Sequence, residues 1–404
     1  MRILVCHNFY QQPGGEDQVF AAEVELLRKF GHDVSTFEMD NDSVAGMSKP
    51  ALMAATVWNR KTYRAMRERV RQCRAEVVHF HNTFPLISPS AYYAAAAQGA
   101  AVVQTLHNFR LLCPGANLFR EGRACEDCVG KCVPWPGVLH KCYRESRGAS
   151  AAVAALLSVH RATGTWANAV HAYLTPTEFA RQKFVAGGLP RDKLIVKPNH
   201  VDPDPGPGPG DGAYAIFVAR LSHEKGIETL LAAWAKLSFP VPLKIIGDGP
   251  LAASVEAAEK QNPNIQWLGR RPLAQVYEAI GHAAALIFPS RCYETFGRVA
   301  VEAYAKGTPV IASRHGAPGE VVKEGRTGFL FTPGDADELA GLVGRVFSTP
   351  SALADLRPGA RAEYEAKYTG AANHEMLMRA YRQALDRRSA PAAGRNSRAR
   401  ACVG

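Results

Sequence analysis

Two glutamates that lie eight positions apart, Glu294 and Glu302, occupy places where surface charges are not expected. Glu294 lies in a predicted loop after an apolar strand, and Glu302 lies inside the following helix among small apolar residues. The first turn of that helix, at Phe296 and Gly297, offers backbone N–H groups and the positive end of the helix dipole, which together bind phosphate. Carboxylates beside it can accept hydrogen bonds from the vicinal hydroxyls of a ribose or a sugar ring. The alternative, two ordinary solvated glutamates, does not explain the apolar neighbours of Glu302.

A second pair of charged residues, Arg220 and Lys225, follows the predicted strand at residues 215–219. Lys225 directly precedes Gly226 and the start of a new helix. Two cations at the end of a strand can hold a diphosphate and neutralise its charge as it departs. The spacing alone is not specific, so this interpretation depends on the position of both residues at a strand end.

Three histidines of the first half of the chain, His7, His81 and His107, each lie at the end of a predicted strand. In open parallel sheets, ligands bind beyond the carboxyl ends of the strands. A single histidine at such an end is more often structural than functional. Three of them at one edge indicate a polar site there.

Five of the nine cysteines fall between residues 113 and 142. Cys125 and Cys128 have the spacing of one half of a structural zinc site, and Cys113 with Cys142 are the best candidates for the other half. Free buried thiols are the alternative. A disulfide framework is disfavoured, because the N-terminus does not read as a signal peptide and a cytoplasmic location is therefore expected.

Short β-branched runs alternate with alanine-rich helical stretches along most of the chain, which predicts parallel sheets with crossover helices. A Pro/Gly-rich segment, residues 201–212, interrupts this pattern and reads as a linker. The sequence therefore predicts two α/β domains, at residues 1–200 and 213–370. A C-terminal helix at residues 371–387 and a disordered basic tail at 388–404 are expected to follow.

The net charge of +11 favours an anionic partner. No nucleic-acid-binding module accompanies the charge, so nucleic acid is not expected. One predicted helix carries Glu68 as its single acidic residue against seven basic ones: Arg60, Lys61, Arg64, Arg67, Arg69, Arg71 and Arg74. This excess predicts peripheral binding to an anionic membrane surface, with a merely solvated face as the alternative. No apolar stretch reaches the length of about 18 residues that a membrane span requires.

Together these residues resemble the family 4 retaining glycosyltransferases of the type that builds exopolysaccharides and lipopolysaccharides. The spacing of Glu294 and Glu302 is the most specific part of the likeness. The segments at residues 218–226, 245–250 and 325–340, and Gly14-Gly15-Glu16 near the N-terminus, resemble further motifs of that family. The resemblance implies the GT-B fold, which has two facing Rossmann-like domains with parallel sheets and a cleft between them.

The resemblance also implies a role for each candidate residue. Arg220 and Lys225 would hold the diphosphate of the donor, and Gly15 would let the first loop approach that diphosphate. Glu302 would bind the donor ribose and Glu294 the hydroxyls of the transferred sugar. The remaining donor-binding positions are backbone amides at Phe296 and Gly297. His107 would lie on the acceptor side, which makes His107 and Glu294 the expected catalytic residues.

The resemblance implies transfer of a sugar, with retention, from a nucleotide diphosphate sugar to a saccharide acceptor, with a lipid-linked saccharide favoured. Such a reaction belongs to cell-surface polysaccharide assembly at the inner face of the cytoplasmic membrane. No catalytic cofactor is expected, because Arg220, Lys225 and a helix N-terminus supply the positive charge. A nucleotide-sugar epimerase of the same architecture and a non-enzymatic nucleotide- or carbohydrate-binding protein are the alternatives. A dehydrogenase is disfavoured, since no Gly-x-Gly-x-x-Gly follows the first strand.

Overall fold

The computed structural model describes residues 1–11 and 14–389 of the 404-residue chain, and these residues form two compact units. The first unit comprises Met1–Leu118, Glu126–Pro198 and the chain from Asn373 onward. The second unit comprises Phe119–Cys125 and Asn199–Ala372. The end of the chain therefore returns to the first unit.

A parallel sheet forms the core of the first unit. In the first 200 residues the strands are β1 (Arg2–Phe9), β2 (Asp33–Asp40), β3 (Val77–Phe80), β4 (Ala101–Thr105), β5 (Phe119–Arg120), β6 (Arg123–Ala124), β7 (Ala172–Thr175) and β8 (Leu194–Val196). Six of them pair in the order β2-β1-β3-β4-β7-β8, whereas β5 and β6 form an antiparallel hairpin of the second unit. Strands β3 and β4 are buried along their whole length, as expected for parallel strands covered on both faces.

The second unit contains another parallel sheet of six strands. They are β9 (Gly212–Val218), β10 (Leu243–Ile246), β11 (Ile265–Gly269), β12 (Ala283–Phe288), β13 (Val310–Ser313) and β14 (Gly328–Phe331). Their order is β11-β10-β9-β12-β13-β14, and every neighbouring pair is parallel. The two sheets confirm the α/β class predicted from the alternating pattern.

Helices connect the strands and cover the sheets. In the first 200 residues they are α1 (Gly15–Lys29), α2 (Lys49–Val57), α3 (Arg60–Cys73), α4 (Ser90–Ala97), α5 (Trp135–Leu139), α6 (Arg147–Ala162), α7 (Thr165–Asn168) and α8 (Glu178–Ala186). Those that follow are α9 (Ile227–Trp234), α10 (Ala252–Gln261), α11 (Leu273–His282), α12 (Arg298–Ala305), α13 (Gly316–Val321), α14 (Ala336–Phe347), α15 (Pro350–Ala354), α16 (Arg357–Lys367) and α17 (Gly370–Ser389). Short 3-10 turns occur at Asn41–Gly46, Arg191–Lys193 and His223–Lys225.

The Pro/Gly-rich segment at residues 201–212, predicted as a linker, packs onto the second unit. Val201 is 1% exposed, and the hydroxyl of Tyr364 donates a hydrogen bond to its carbonyl at 2.9 Å. Arg357 donates to the carbonyl of Gly208 at 2.8 Å. Segments of this composition have few side chains to bury, but their carbonyls can accept hydrogen bonds from distant donors. A sequence pattern does not show such contacts.

The last helix, α17, completes the core of the first unit. Leu377, Ala380 and Tyr381 on α17 are fully buried in one cluster with Val5 of β1 and Val103 of β4. The predicted basic tail at residues 388–404 begins within α17, which continues to Ser389, and its remainder lies outside the described residues.

Candidate active site

In the second unit, Lys225 and Glu294 form an ion pair with 2.6 Å between Nζ and Oε1. The hydroxyl of Ser290 donates to the same carboxylate oxygen at 2.7 Å. Burial would raise the pKa of Glu294, but Lys225 and Ser290 outweigh it and hold that pKa below its usual value. Burial would likewise lower the pKa of Lys225, and Glu294 raises it instead. Both side chains are therefore charged at neutral pH. Lys225, the residue predicted to bind the diphosphate, thus directly contacts Glu294, the residue predicted to bind the sugar.

Backbone contacts hold the turn that carries Lys225 against the loop that carries Glu294. The N–H groups of Arg291 and Cys292 donate to the carbonyl of Glu224 at 2.9 and 3.3 Å. Gly226 has a left-handed φ of 74°, and a Cβ there would lie 1.8 Å from the carbonyl oxygen of Pro289. Only glycine fits so close to this loop, so the backbone fixes the relative position of the two charged side chains.

Helix α12 begins directly after this loop. Its N-cap, Gly297, has a φ of 83°, and a Cβ there would meet the Phe288 ring at 2.4 Å. The preceding residue, Phe296, is 3% exposed and belongs to the apolar core. The first N–H groups of an α-helix have no partner within the helix, so this start can bind an anion. The structure thus places Phe296 and Gly297 at the start of α12, and their contact with a sugar remains a prediction.

Glu302 is 7% exposed, and its carboxylate contacts the guanidinium of Arg298 with 3.0 Å between Oε1 and Nε. Burial raises the pKa of Glu302, although Arg298 acts against this. The sequence interpretation did not include Arg298. Its position four residues before Glu302 on one helix was the available signal, since residues at that spacing lie on the same face. The Nη1 atom of Arg298 is buried and has no hydrogen-bond partner among the described residues, so it can donate to a ligand.

Arg220 lies just after β9 and is exposed. It precedes the 3-10 turn His223–Lys225, so both predicted diphosphate ligands belong to one strand-end connection. The structure gives Lys225 a fixed place through its ion pair, whereas Arg220 extends into solvent. The role of Arg220 in holding a diphosphate remains a prediction.

In the first unit, the carboxyl ends of the strands bring two of the predicted histidines into contact. His81 Nδ1 lies 3.0 Å from His107 Nε2. Burial lowers the pKa of His81 to about 4, and burial together with His81 lowers the pKa of His107 well below its usual value. His7 instead contacts the Asp17 carboxylate at 2.7 Å. This edge of the sheet therefore carries neutral imidazoles at pH 7.

The glycine-rich start of α1 is organised by Asp17. The backbone N–H of Gly14 donates to Asp17 Oδ2 at 2.7 Å, which satisfies one of the donors at the helix start. A Cβ on Gly15 would meet no atom within 4 Å. The packing of the first unit thus leaves open space at Gly15, and the approach of a diphosphate to it remains a prediction.

Behind these histidines lies a buried network centred on Glu23. Its Oε1 is 3.0 Å from His79 Nδ1 and 3.4 Å from His81 Nε2, and its Oε2 accepts from Lys197 Nζ at 2.6 Å. Glu23, His79 and His81 have the geometry of a metal-ligating group, and the described residues contain no other. Lys197 already neutralises the carboxylate, and the hydroxyl of Tyr381 lies 2.8 Å from His79 Nδ1. Glu23 Oε1 and His81 Nε2 have no hydrogen-bond partner among the described residues, so Lys197 neutralises the carboxylate without satisfying every atom of the network.

Within the described part of the chain, the four predicted zinc ligands are not joined in disulfides. Cys113 and Cys128 are buried, and Cys125 and Cys142 are half-buried. Since the described residues contain no metal-ligating group besides that at Glu23, the structure does not bring these four thiols together. The zinc site remains a prediction that metal analysis can decide.

Two family models match the chain along most of its length. Residues 13–205 match the model described as Glycosyltransferase Family 4, and residues 202–363 match the model described as Glycosyl transferases group 1. The chain belongs to this family of glycosyltransferases.

Among curated relatives, an uncharacterised glycosyltransferase of Methanocaldococcus jannaschii is 34% identical over 151 residues, which is 37% of this chain and 42% of the relative. A glycogen synthase of Mycobacterium tuberculosis is 34% identical over 146 residues, which is 35% of each chain. The matched part thus spans less than half the length of these relatives.

Solved structures resemble the whole fold. Sucrose-phosphate synthase from Thermosynechococcus elongatus has a TM-score of 0.69 at 18% identity and covers 95% of this chain and 99% of its own. HepE of Anabaena, solved in complex with UDP and glucose, has a TM-score of 0.64 at 17% identity, with coverages of 94% and 98%. These similarities confirm the predicted GT-B fold. Within residues 1–11 and 14–389, none of the helices combines the length and apolar character that crossing a bilayer requires.

Proposed function

We propose that this glycosyltransferase moves a sugar, with retention of anomeric configuration, from a nucleotide diphosphate sugar to a saccharide acceptor. The observation that carries the proposal is the Lys225–Glu294 ion pair beside the start of α12. A cation for the diphosphate, an ionised carboxylate for sugar hydroxyls and free helix N–H groups lie in one loop cluster. Because the structure of HepE contains UDP and glucose, uridine diphosphate sugars are the first donors to test.

The proposed reaction needs no divalent metal. As the sugar–phosphate bond breaks, negative charge develops on the leaving diphosphate, and preorganised positive groups stabilise it. Lys225 is held in place by Glu294, and the dipole of α12 adds positive potential at its N-terminus. Arg220 is the third source of positive charge and lies on the same strand-end connection as Lys225.

The proposed acceptor is a lipid-linked saccharide, because α3 presents a basic face suited to an anionic membrane. Its apolar side packs inward through Met66 and Val70, which are 0% and 2% exposed. The exposed basic residues are Arg60, Lys61, Arg64, Arg67, Arg71 and Arg74. Trp58, two residues before α3, is 41% exposed and offers an aromatic side chain to the membrane interface. Such a protein would act as a peripheral enzyme in cell-surface polysaccharide assembly at the cytoplasmic face of a membrane.

The decisive experiment measures release of free nucleotide diphosphate from a panel of uridine, guanosine and adenosine diphosphate sugars. Octyl glycosides of glucose, galactose, mannose and N-acetylglucosamine serve as acceptors. A transferase releases the nucleotide and extends one glycoside, and NMR of the product reports the anomeric configuration. An epimerase would change the sugar without extending any glycoside. A binding protein would shift its melting temperature with nucleotide and release nothing, and either result contradicts the proposal.

A further inference from the structure

The carboxylate of Glu16, in the first turn of α1, has one satisfied oxygen and one unsatisfied oxygen. Asn108 Nδ2 donates to Oε1 at 2.5 Å, and the Asn108 oxygen in turn accepts from the backbone N–H of Arg110 at 2.9 Å. The second bond fixes which end of the amide faces Glu16. The other oxygen of Glu16, Oε2, is buried and has no hydrogen-bond partner among the described residues. Buried polar atoms of folded proteins almost always have a partner, so this oxygen can accept a hydrogen bond from a ligand.

The fold itself does not require a carboxylate at this position. Asp17 already caps α1 through the N–H of Gly14 and also contacts His7. The described residues contain no ion pair between Arg110 and Glu16, although the charge of Arg110 lowers the pKa of the carboxyl. Its guanidinium lies between the rings of Phe84 and Tyr143, at 4.6 and 4.7 Å from their centroids, and donates to the carbonyl of Pro114.

The groups around Glu16 leave it only partly stabilised as an anion. Burial raises its pKa to about 7, although Asn108, Arg110 and the nearby hydroxyl of Tyr10 lower it, and Asp17 on the same helix raises it further. An unsatisfied carboxylate of this kind can accept hydrogen bonds from hydroxyl groups. It would repel a diphosphate, for which the second unit offers Lys225 and the start of α12.

We propose that Glu16 Oε2 accepts a hydrogen bond from a hydroxyl of the acceptor saccharide and so helps to select and position the acceptor. The inference rests on the proposed transferase function and gives a binding role to Glu16, which the sequence analysis named only as part of the Gly14-Gly15-Glu16 motif. Asn108 directly follows His107, so Glu16 lies at the strand end that carries the predicted acceptor-side histidine. Asn108 holds Glu16 in place. The imidazoles of His107 and His81 at the same edge of the sheet are neutral, so they add no charge to a site for an uncharged saccharide.

The test compares the variants Glu16→Gln and Glu25→Gln. Glu25 lies on the exposed side of the same helix and receives the same chemical change. The acceptor is whichever octyl glycoside the wild-type protein extends in the panel above. Loss of a hydrogen bond to a charged group weakens binding about tenfold or more, so Glu16→Gln should raise the KM for the glycoside by that factor. The KM for the donor and the rate of donor hydrolysis without acceptor should not change, and Glu25→Gln should behave as the wild type.

The pH profile and the melting temperature separate a binding role from a structural one. Because the ionised form accepts the hydrogen bond, kcat/KM for the glycoside should fall about tenfold per pH unit below about 7 and level off above it. Glu16→Gln should lose this dependence. At pH 8 the variant should melt at the same temperature as the wild type or higher, because it removes an incompletely satisfied charge.

An unchanged KM for the glycoside in Glu16→Gln, or a pH profile that keeps its acidic limb, would overturn the inference and leave the transferase assignment intact. A melting temperature lowered at pH 8, with kcat/KM lowered for donor and acceptor alike, would show that Glu16 is structural and would also overturn the inference. If the wild-type protein extends no glycoside with any donor, the proposed function fails and the inference fails with it.

Discussion

Glu23 and Lys197, which are 174 residues apart in the sequence, form a buried ion pair in the first unit. Asn373 of α17 accepts a second hydrogen bond from the same ammonium at 3.0 Å. Burial would raise the pKa of Glu23, but Lys197 and His79 hold it well below its usual value. The pair therefore connects α1, the end of β8 and α17 through charges that have no access to water.

Lys197→Met should destabilise the protein by about 3–5 kcal/mol, because it leaves a buried carboxylate without its main partner. Lys236→Met is the matched control, since Lys236 pairs with Asp337 at the surface and its loss should cost less than about 1 kcal/mol. Denaturant unfolding monitored by circular dichroism measures both. Because the pKa of Glu23 is lowered by folding, the contribution of the pair is present above about pH 4.3 and is lost as the pH falls further. Equal stability of the two variants would contradict the assignment.

Arg220→Ala and Lys225→Ala should each lower turnover about a hundredfold or more, since removal of one preorganised charge-stabilising group typically has that effect. Lys225→Ala also leaves Glu294 without its cation. Steady-state nucleotide release measures the rates, and thermal melting checks that both variants fold. Lys260→Ala, at an exposed pair, serves as the control. Near-normal turnover in both variants would refute the diphosphate assignment.

Substitution of Glu302 should mainly affect donor binding, and substitution of Glu294 should mainly affect kcat. Glu302→Gln should weaken donor binding about tenfold, because it loses a charged acceptor that Arg298 orients. Glu294→Gln should mainly lower kcat, because its ion pair with Lys225 places it beside the group proposed to hold the diphosphate. Calorimetric titration with UDP and steady-state rates separate the two effects, with Glu256→Gln as the exposed control. If both variants bind and turn over normally, the glutamates are structural.

Activity should persist in excess chelator during a short assay, because Lys225, Arg220 and the start of α12 supply the positive charge. Metal analysis of protein purified under reducing conditions tests the cysteine cluster independently. Less than about half an equivalent of zinc would favour free thiols at Cys113, Cys125, Cys128 and Cys142. If zinc is present, its removal should lower the melting temperature and not the initial rate. Immediate loss of activity that added magnesium restores would contradict a metal-independent mechanism.

Binding to vesicles tests the basic face of α3. The protein should sediment with vesicles that contain anionic lipid and not with neutral ones, and the binding should weaken with salt. Each basic residue near the surface contributes about 1 kcal/mol, so Arg64→Glu with Arg67→Glu should lower the partition coefficient at least tenfold. The same reversal at the exposed Arg270 and Arg271 of the second unit is the control. Equal binding to both kinds of vesicle would refute the membrane proposal without affecting the transferase assignment.

The sequence predicted those parts of the site that depend on local pattern. Glu294 and Glu302 carry a fixed spacing, and Arg220 and Lys225 follow a strand whose end is readable from its apolar run. The Lys225–Glu294 contact was not predicted, because 69 residues separate its partners and only the order of β9 and β12 in the sheet brings them together. The hydrogen bond between Glu16 and Asn108 was not predicted for the same reason, because 92 residues separate them. Long-range pairing of charges follows from strand order, which periodicity does not encode.

The place of α17 has a consequence for synthesis on the ribosome. Translation proceeds from the N-terminus, and domains generally fold as units while the chain emerges. All residues of the second unit leave the ribosome before Asn373, whereas the sheet of the first unit waits for Leu377, Tyr381 and Ala384 to cover Val5 and Val103. The first unit, most of which is translated first, can thus complete its folding only after the second unit has been translated. A nascent chain that stalls before residue 373 would expose this apolar sheet face to chaperones and proteases.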